Sequence, residues 1–197
     1  MTVTPHGSSP SPWSPWDVAA ARTIVLPPGP RDRLVEHARR KVTGRHLPGE
    51  PPQLRAFGLL AGDWPEPGVL AVSAVYPLTH SARTDPAYAD TVDEIYREHA
   101  RPTATPQEQR GWVARPGDVL RAEEDADAHG WILFGNYHTH RIAWPEDPVR
   151  DSCTAFDTAL ARGSGMWVLI VSMVDPDVPR IRAFYEGDPV REAVLTG

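Results

Sequence analysis

The chain has very little cysteine and lysine and no long apolar run. Among its 197 residues, Cys153 is the one cysteine and Lys41 the one lysine. A single cysteine excludes a disulfide within the chain and is typical of the reducing cytoplasm, which is the compartment we expect. No apolar stretch approaches the ~20 residues that a transmembrane helix requires, and the N-terminus lacks the pattern of a signal peptide. A membrane partner is therefore not expected.

An excess of basic residues is also missing. The net charge is -6 and the isoelectric point is near 5.7, which argues against nucleic acid and anionic lipid as partners. The hydrophobic share of 41% is ordinary for a soluble globular domain. Residues 1–20 are rich in Ser and Pro, which predicts a mobile N-terminal tail. Residues 21–197 are then expected to form a single domain.

Apolar periodicity predicts strands and helices in alternation. The predicted strands cover residues 23–27, 54–62, 69–78, 131–140, 167–175 and 180–187. The predicted helices cover residues 30–41, 87–100, 118–130 and 154–162. This order of elements predicts an α/β domain with a mixed sheet flanked by helices.

Two histidines follow the apolar run at residues 131–134. Successive side chains on a strand point to opposite faces, so His138 and His140 share a face and Thr139 points away. Two imidazoles on one face can bind the same ion. Catalytic zinc typically takes three protein ligands, drawn from His nitrogen and carboxylate oxygen, and leaves a fourth position open. The pattern predicts a zinc site with a third ligand elsewhere in the chain.

Three segments together resemble the signature of the JAMM (MPN-plus, Mov34) zinc metallopeptidases. They are Gly58-Leu59-Leu60-Ala61-Gly62, His138-Thr139-His140 and Thr154-Ala155-Phe156-Asp157. The resemblance extends over roughly residues 23–187. It implies an MPN-type, cytidine-deaminase-like fold, with a mixed curved sheet flanked by helices. It also implies one zinc ion held by two histidines and an aspartate.

Two aspartates compete for the place of third ligand. The spacing usual in the resembled family selects Asp151, but the position expected to hold serine is then Pro148. Asp157 comes later and has Thr154 at the serine position, where threonine also suits a helix cap. We favour Asp157, with Asp151 as the alternative.

The resemblance also implies a catalytic glutamate and a hydroxyl donor. The usual glutamate position holds Arg55, and the nearest upstream acid is Glu50. We expect Glu50 to act as general base, so that Glu50→Gln keeps zinc but loses about 10²-fold in turnover. Glu94 and Glu98 are the alternatives for this role. The Thr154 hydroxyl is expected to donate to the oxyanion formed from an amide carbonyl.

Three functions follow from these expectations. The first is a zinc-dependent amide or isopeptide hydrolase that processes conjugates of a ubiquitin-like or sulfur-carrier protein. The second is a hydrolase of a small-molecule amide in a biosynthetic pathway, and the third is a catalytically silent scaffold. An extended protein tail requires a groove, often beside a free sheet edge, whereas a small amide requires an enclosed pocket.

Overall fold

The computed structural model describes residues 17–103 and 105–197. Most of the predicted tail, residues 1–20, lies outside these ranges. Its described end includes a 3-10 turn, Val18–Ala20, whose first carbonyl accepts a hydrogen bond of 2.9 Å from the indole of Trp167. This part of the predicted tail therefore contacts the body of the domain.

The described residues form seven strands and four α-helices. The strands are β1 (Thr23–Val25), β2 (Phe57–Glu66), β3 (Val69–Leu78), β4 (Ile132–His140), β5 (Trp167–Ser172), β6 (Arg180–Tyr185) and β7 (Glu192–Thr196). The helices are α1 (Pro28–Val42), α2 (Ala89–His99), α3 (Pro116–Ala128) and α4 (Ala155–Ala161). In the part of the chain that the structure describes, no helix has both the length and the apolar character needed to cross a membrane.

The strands form one closed barrel in the order β1-β3-β2-β4-β5-β6-β7. The predicted MPN-type curved sheet is therefore wrong. Closure depends on β1, which pairs in parallel with β3 on one side and with β7 on the other. β7 is not among the predicted strands, and it pairs antiparallel with β6, which also pairs antiparallel with β5. Every strand consequently has two neighbours.

One buried cluster draws on all seven strands and on α1. Ile24, Leu60, Leu70, Phe134, Leu169, Ala183 and Ala193 are among its strand residues. Leu34 and Ala38 add the apolar face of α1, and both side chains are fully buried. Burial of each large aliphatic side chain stabilises the fold by about 1.5–3 kcal/mol. The cluster therefore fixes α1 against the barrel and sets the position of β4.

Gly58, the first residue of the Gly-Leu-Leu-Ala-Gly segment, has a packing role. A Cβ atom at Gly58 would lie 2.4 Å from the carbonyl oxygen of Tyr76 and 2.5 Å from the ring of Tyr137. Only glycine fits this close approach between β2 and its neighbours β3 and β4. The glycine thus lets the Tyr137 ring pack against the backbone of β2.

A buried polar contact joins α1 to β4. His37 and Tyr137 share a hydrogen bond of 2.7 Å between imidazole Nδ1 and the phenol oxygen. Burial, with a further contribution from the positive charge of Arg40, lowers the pKa of His37 to about 4. The imidazole is therefore neutral in the folded protein at neutral pH.

We expect this histidine to destabilise the fold in mild acid. Between pH 6.5 and 4 the unfolded chain binds more protons at His37 than the folded one does, so the free energy of unfolding falls as pH falls. The total contribution is about 3 kcal/mol. His37→Gln removes the titration while keeping a hydrogen-bonding group. Chemical denaturation from pH 7 to 4 should show a shallower loss of stability in this variant, and identical slopes would contradict the assignment.

Candidate metal centre

The candidate site lies at the carboxyl end of β4. His138 and His140 occupy alternate positions of this strand, with β2 on one side and β5 on the other. The chain then runs through a loop and enters α4, whose third residue is Asp157. The three side chains meet on one face of the barrel wall and are largely buried, with exposed fractions of 14% for His138, 8% for His140 and 12% for Asp157.

The imidazoles of His138 and His140 and the carboxylate of Asp157 form a ligand triangle in which each pair of groups is in contact. Nε2 of His138 lies 3.2 Å from Nε2 of His140 and 3.2 Å from Oδ1 of Asp157. Nε2 of His140 lies 3.2 Å from Oδ2 of Asp157. Tetrahedral zinc with bonds of about 2.0–2.1 Å separates its ligand atoms by about 3.3 Å. The observed separations of 3.2 Å are close to this value, and two imidazoles and one carboxylate are groups that zinc binds.

A capping box fixes the carboxylate of Asp157. Both the backbone N–H and the hydroxyl of Thr154 donate to Oδ2 of Asp157 at 2.7 Å. The backbone N–H of Asp157 donates in return to the Thr154 hydroxyl at 3.2 Å. These are the reciprocal bonds of a helix N-terminus. Thr154 therefore orients the third ligand, and its hydroxyl proton is already used in that contact.

The imidazole of His140 is oriented by a backbone carbonyl. Its Nδ1 lies 3.2 Å from the carbonyl oxygen of Arg150, so a proton on Nδ1 leaves the lone pair of Nε2 for a metal. Arg150 adopts φ +57, a left-handed conformation uncommon outside glycine. Its backbone N–H donates to Asp147 at 2.8 Å. The strained backbone thus presents its carbonyl to the ligand histidine.

The second histidine has no such support among the described residues. Nδ1 of His138 is buried and makes no hydrogen bond there. All polar contacts of its ring pass through Nε2, which faces His140 and Asp157. Two imidazole nitrogens and a carboxylate are thus in mutual contact. The donor set therefore fits a bound metal ion.

The charge states also suit a metal. Burial lowers the pKa of His140, although the nearby Asp157 carboxylate opposes this effect. Burial disfavours the charged carboxylate of Asp157, but the two histidines and their hydrogen bonds hold its pKa well below its usual range. A neutral imidazole and an ionised carboxylate are the ligand forms of these groups.

Asp151, the alternative third ligand, lies outside the cluster. Its Oδ1 pairs with Nη1 of Arg182 at 3.0 Å, on β6. Within the described ranges, the group able to hold a metal consists of His138, His140 and Asp157. The geometry thus favours Asp157 over Asp151 as third ligand.

Glu50, the expected general base, is not brought to the site. Its carboxylate receives two hydrogen bonds from the guanidinium of Arg40, at 2.5 and 2.8 Å, and one from the backbone N–H of Leu47 at 3.0 Å. Lys41 Nζ lies 3.6 Å away. Hydrogen bonding to Arg40 lowers the pKa of Glu50 to about 2, against the effect of burial. These contacts anchor the loop after α1. They leave Glu50 without a role as a proton acceptor near neutral pH.

We therefore expect Glu50→Gln to affect stability and not zinc. The carboxylate side chain is 4% exposed, and its loss should lower the free energy of unfolding by on the order of 3 kcal/mol. That contribution is present above pH 4.5 and disappears as pH falls toward 2. Denaturation and metal analysis of the variant test this expectation. Normal stability together with a loss of turnover would restore Glu50 as the base.

The other candidate bases are not among the described residues that form the ligand cluster or line its cavity. Glu94 and Glu98 lie on α2 and are exposed. Arg55 is close to the site: the backbone N–H of Thr139 donates to the carbonyl of Ala56 at 3.0 Å, which continues the β2–β4 pairing toward Arg55. A guanidinium cannot accept a proton at neutral pH.

A cavity of about 420 Å³ opens above the three ligand residues. Its apolar walls include Leu54, Phe57, Leu59, Trp112, Val119, Ile142, Trp144, Phe156 and Leu160. Phe57 and Trp112 stack with ring centroids 5.1 Å apart. Among the described residues that line the cavity, Asp157 is the one carboxylate. The ligand triangle thus lies in the wall of a mainly apolar cavity.

Sequence reasoning missed several of these residues. Phe57 could have been placed beside the histidines, because alternation along β2 and its pairing with β4 put it opposite His138. Trp112 comes from a polar segment that carried no signal of burial. The Arg150 carbonyl had none either, since a left-handed arginine is set by tertiary contacts.

Comparison with known proteins identifies the fold but no function. No protein-family model matches the chain, and no curated protein does. Protein DSY2949 from Desulfitobacterium hafniense, a structural genomics target solved in solution, is 22% identical with a TM-score of 0.55; the match covers 87% of this chain and 90% of that one. A protein from Salinibacter ruber matches at 20% identity and a TM-score of 0.45, over 88% and 90% of the two chains. The likeness to DSY2949 indicates a shared fold.

Proposed function

We propose that this protein is a zinc-dependent hydrolase that cleaves an amide bond in a small molecule. The observation that carries the proposal is the triangle of His138, His140 and Asp157 in the wall of a cavity of about 420 Å³. Small-molecule sites typically enclose about 300–1,000 Å³ and are mostly apolar with a few polar groups. Support also comes from the sequence resemblance to the JAMM signature, whose three ligands these residues match.

Zinc bound here would supply a Lewis acid that acidifies a coordinated water and polarises the substrate carbonyl. His138 and His140 would bind as neutral imidazoles and Asp157 as a carboxylate that Thr154 orients. The apolar walls would hold the substrate and exclude bulk water. In the reaction, water oxygen bonds to the acyl carbon and the C–N bond breaks. The two water protons and the amide proton finish on the products, a carboxylate and an ammonium ion.

The shape of the site favours a small molecule over a protein tail. The ligand histidines lie on β4, which pairs with β2 on one side and β5 on the other, so the strand that carries them offers no free edge to which an extended tail could add. The ligand triangle instead faces the cavity. A conjugate of a ubiquitin-like or sulfur-carrier protein is therefore the second choice of substrate.

A catalytically silent, zinc-containing binding module is the alternative function. It is favoured by one observation: Asp157 is the sole carboxylate among the described cavity residues, and Glu50 is bound to Arg40 elsewhere. A missing general base removes a contribution of about 10²–10⁴ in rate. We expect turnover to be slow for a zinc hydrolase.

We place the protein in the cytoplasm. Cys153 is the chain's one cysteine and is unpaired. Burial raises the pKa of its thiol, so it is protonated and has little tendency to react. A chain with no internal disulfide is suited to a reducing compartment.

Turnover assays of the zinc-loaded protein test the function. The panel should contain small N-acyl amides and a ubiquitin-like protein joined to lysine through its C-terminal glycine. We expect cleavage of a small amide by the wild type, loss of cleavage after chelation, recovery on adding zinc, and none with Asp157→Ala. Zinc binding without cleavage of any substrate would favour the silent module. Cleavage of the protein conjugate alone would favour an isopeptidase.

A further inference from the structure

Positive charge is concentrated around the cavity. Among the described residues that line it are four arginines and one carboxylate; the arginines are Arg55, Arg110, Arg141 and Arg150. The whole chain carries a net charge of -6, so the charge around the cavity is opposite in sign to the net charge of the chain. A bound metal ion would add further positive charge. The cavity is therefore electrostatically suited to an anionic occupant.

Three of these guanidinium groups keep their charge uncompensated. Arg150 pairs with Asp147 at 3.2 Å. For the other three, the described residues provide no carboxylate partner. Arg110 donates to the neutral Tyr96 hydroxyl at 3.0 Å, and Arg141 is exposed at the cavity mouth. These cations can therefore attract an anion from solvent.

Arg55 is the cation best placed to contact a substrate. The β2–β4 pairing sets Phe57 opposite His138, and extending that register by two residues sets Arg55 opposite His140. By strand alternation the Arg55 side chain shares the face of the ligand histidines. Its Nη1 donates to the carbonyls of Gln109 and Gly111, which fix the group without neutralising it.

The burial of the Arg55 guanidinium also favours binding of an anion. Burial, and to a lesser extent the positive charge of Arg83, lower the pKa of Arg55 to about 10. A cation that is desolvated in this way gains more from a nearby carboxylate than an exposed one does. Its guanidinium carbon lies 5.7 Å from the centroid of the Phe57 ring. The positive charge of Arg55 and the apolar ring of Phe57 therefore lie close together.

The remaining walls define the other part of the ligand. Phe57 and Trp112 form a stacked aromatic pair, and Leu54 and Ile142 add partly exposed apolar surface. An occupant that fills this space needs an aromatic or aliphatic group of moderate size. Combined with the arginines, the walls select an amphipathic molecule with one apolar end and one anionic end.

We propose that the cavity binds N-acyl amino acids, with the apolar acyl group against Phe57 and Trp112 and the free carboxylate on Arg55. This inference rests on the proposed amide hydrolysis for its reaction but not for its binding mode. Water would add to the acyl carbon, the C–N bond would break, and the products would be an apolar carboxylate and a free amino acid. The amide of such a molecule lies between its apolar and anionic ends, and His138, His140 and Asp157 line the same cavity as Arg55 and Phe57.

Calorimetric titration of the full zinc-loaded chain tests the inference. The probes are N-phenylacetylglycine and its neutral carboxamide, which differ in charge and hardly in shape. We expect the acid to bind about 10-fold or more tightly than the carboxamide, since hydrogen bonds to charged groups contribute that much. Arg55→Gln should remove this preference, whereas Arg55→Lys should keep most of it. Arg180→Gln, at an exposed position on β6, is the matched control and should keep all of it.

Equal affinity of the wild type for the acid and the carboxamide would overturn the inference, and so would an unchanged preference in Arg55→Gln. If Arg55→Gln fails to fold, the wild-type comparison of the two probes still decides. Release of phenylacetate, measured separately, distinguishes the two proposals. If the protein binds the acid selectively but releases no phenylacetate, the proposed hydrolysis is wrong and the ligand assignment stands. If it hydrolyses neutral amides and shows no preference for the acid, the ligand assignment is wrong and the proposed hydrolysis stands.

Discussion

Asp157→Ala should lose its zinc, whereas Asp151→Ala should retain one ion per chain. The first change removes one of three converging ligand atoms and leaves two imidazoles 3.2 Å apart. The second removes a partner of Arg182 and leaves the triangle intact. Elemental analysis of each variant, after purification and again after addition of zinc, gives the metal content. We expect the measured affinity of Asp157→Ala for zinc to fall by at least 10²-fold, beyond the effect of disturbing an outer contact.

The same pair of variants tests the choice between the two aspartates. Loss of zinc from Asp151→Ala with retention in Asp157→Ala would reverse the assignment. Removal of Asp157 also breaks the capping box of α4, so thermal unfolding should be measured alongside metal content. Asp157→Asn is the matched control, because it keeps the cap but supplies a neutral, weaker ligand.

Thr154→Val should weaken zinc binding by about 10–100-fold, the usual effect of losing a group that orients a ligand. The hydroxyl donates to Oδ2 of Asp157 at 2.7 Å, and valine has a similar shape without that donor. The variant should also lose about 1 kcal/mol of stability through the helix cap. Thr154→Ser keeps the hydroxyl and should bind zinc almost as the wild type does.

This expectation differs from the role that the sequence predicts for Thr154. A donor to the oxyanion would leave zinc affinity unchanged on removal and lower turnover by about 10²–10³. Competition with a chromogenic chelator measures the affinity independently of any substrate. Unchanged affinity in Thr154→Val would contradict the positioning role.

The shared face of the two ligand histidines was predictable because its signal is local. Alternation along β4 sets two histidines on one face, and a threonine three residues before Asp157 is a helix-start pattern. Strand and helix positions followed from apolar periodicity in the same way. These inferences required only a short window of sequence, whereas the choice of Asp157 as third ligand rested on the resemblance to the JAMM signature. The structure brings the three side chains together.

Closure of the barrel and the position of Glu50 were not predictable in this way. Closure depends on β7, a strand of five residues that includes exposed Glu192 and Val194, and on its pairing with β1 from the other end of the chain. Glu50 was placed by its distance along the sequence from the glycine strand. Its actual contacts are with Arg40 and the Leu47 backbone, which depend on the path of a loop. Such long-range or loop-dependent contacts leave no periodic signal.

Diffraction at the zinc absorption edge, from crystals grown with zinc, tests the central claim most directly. The account predicts one strong anomalous peak per chain, about 2.0–2.1 Å from Nε2 of His138 and of His140 and about 2.0–2.2 Å from a carboxylate oxygen of Asp157. The fourth position should face the cavity. Absence of a peak at these three residues in zinc-saturated crystals would contradict the account.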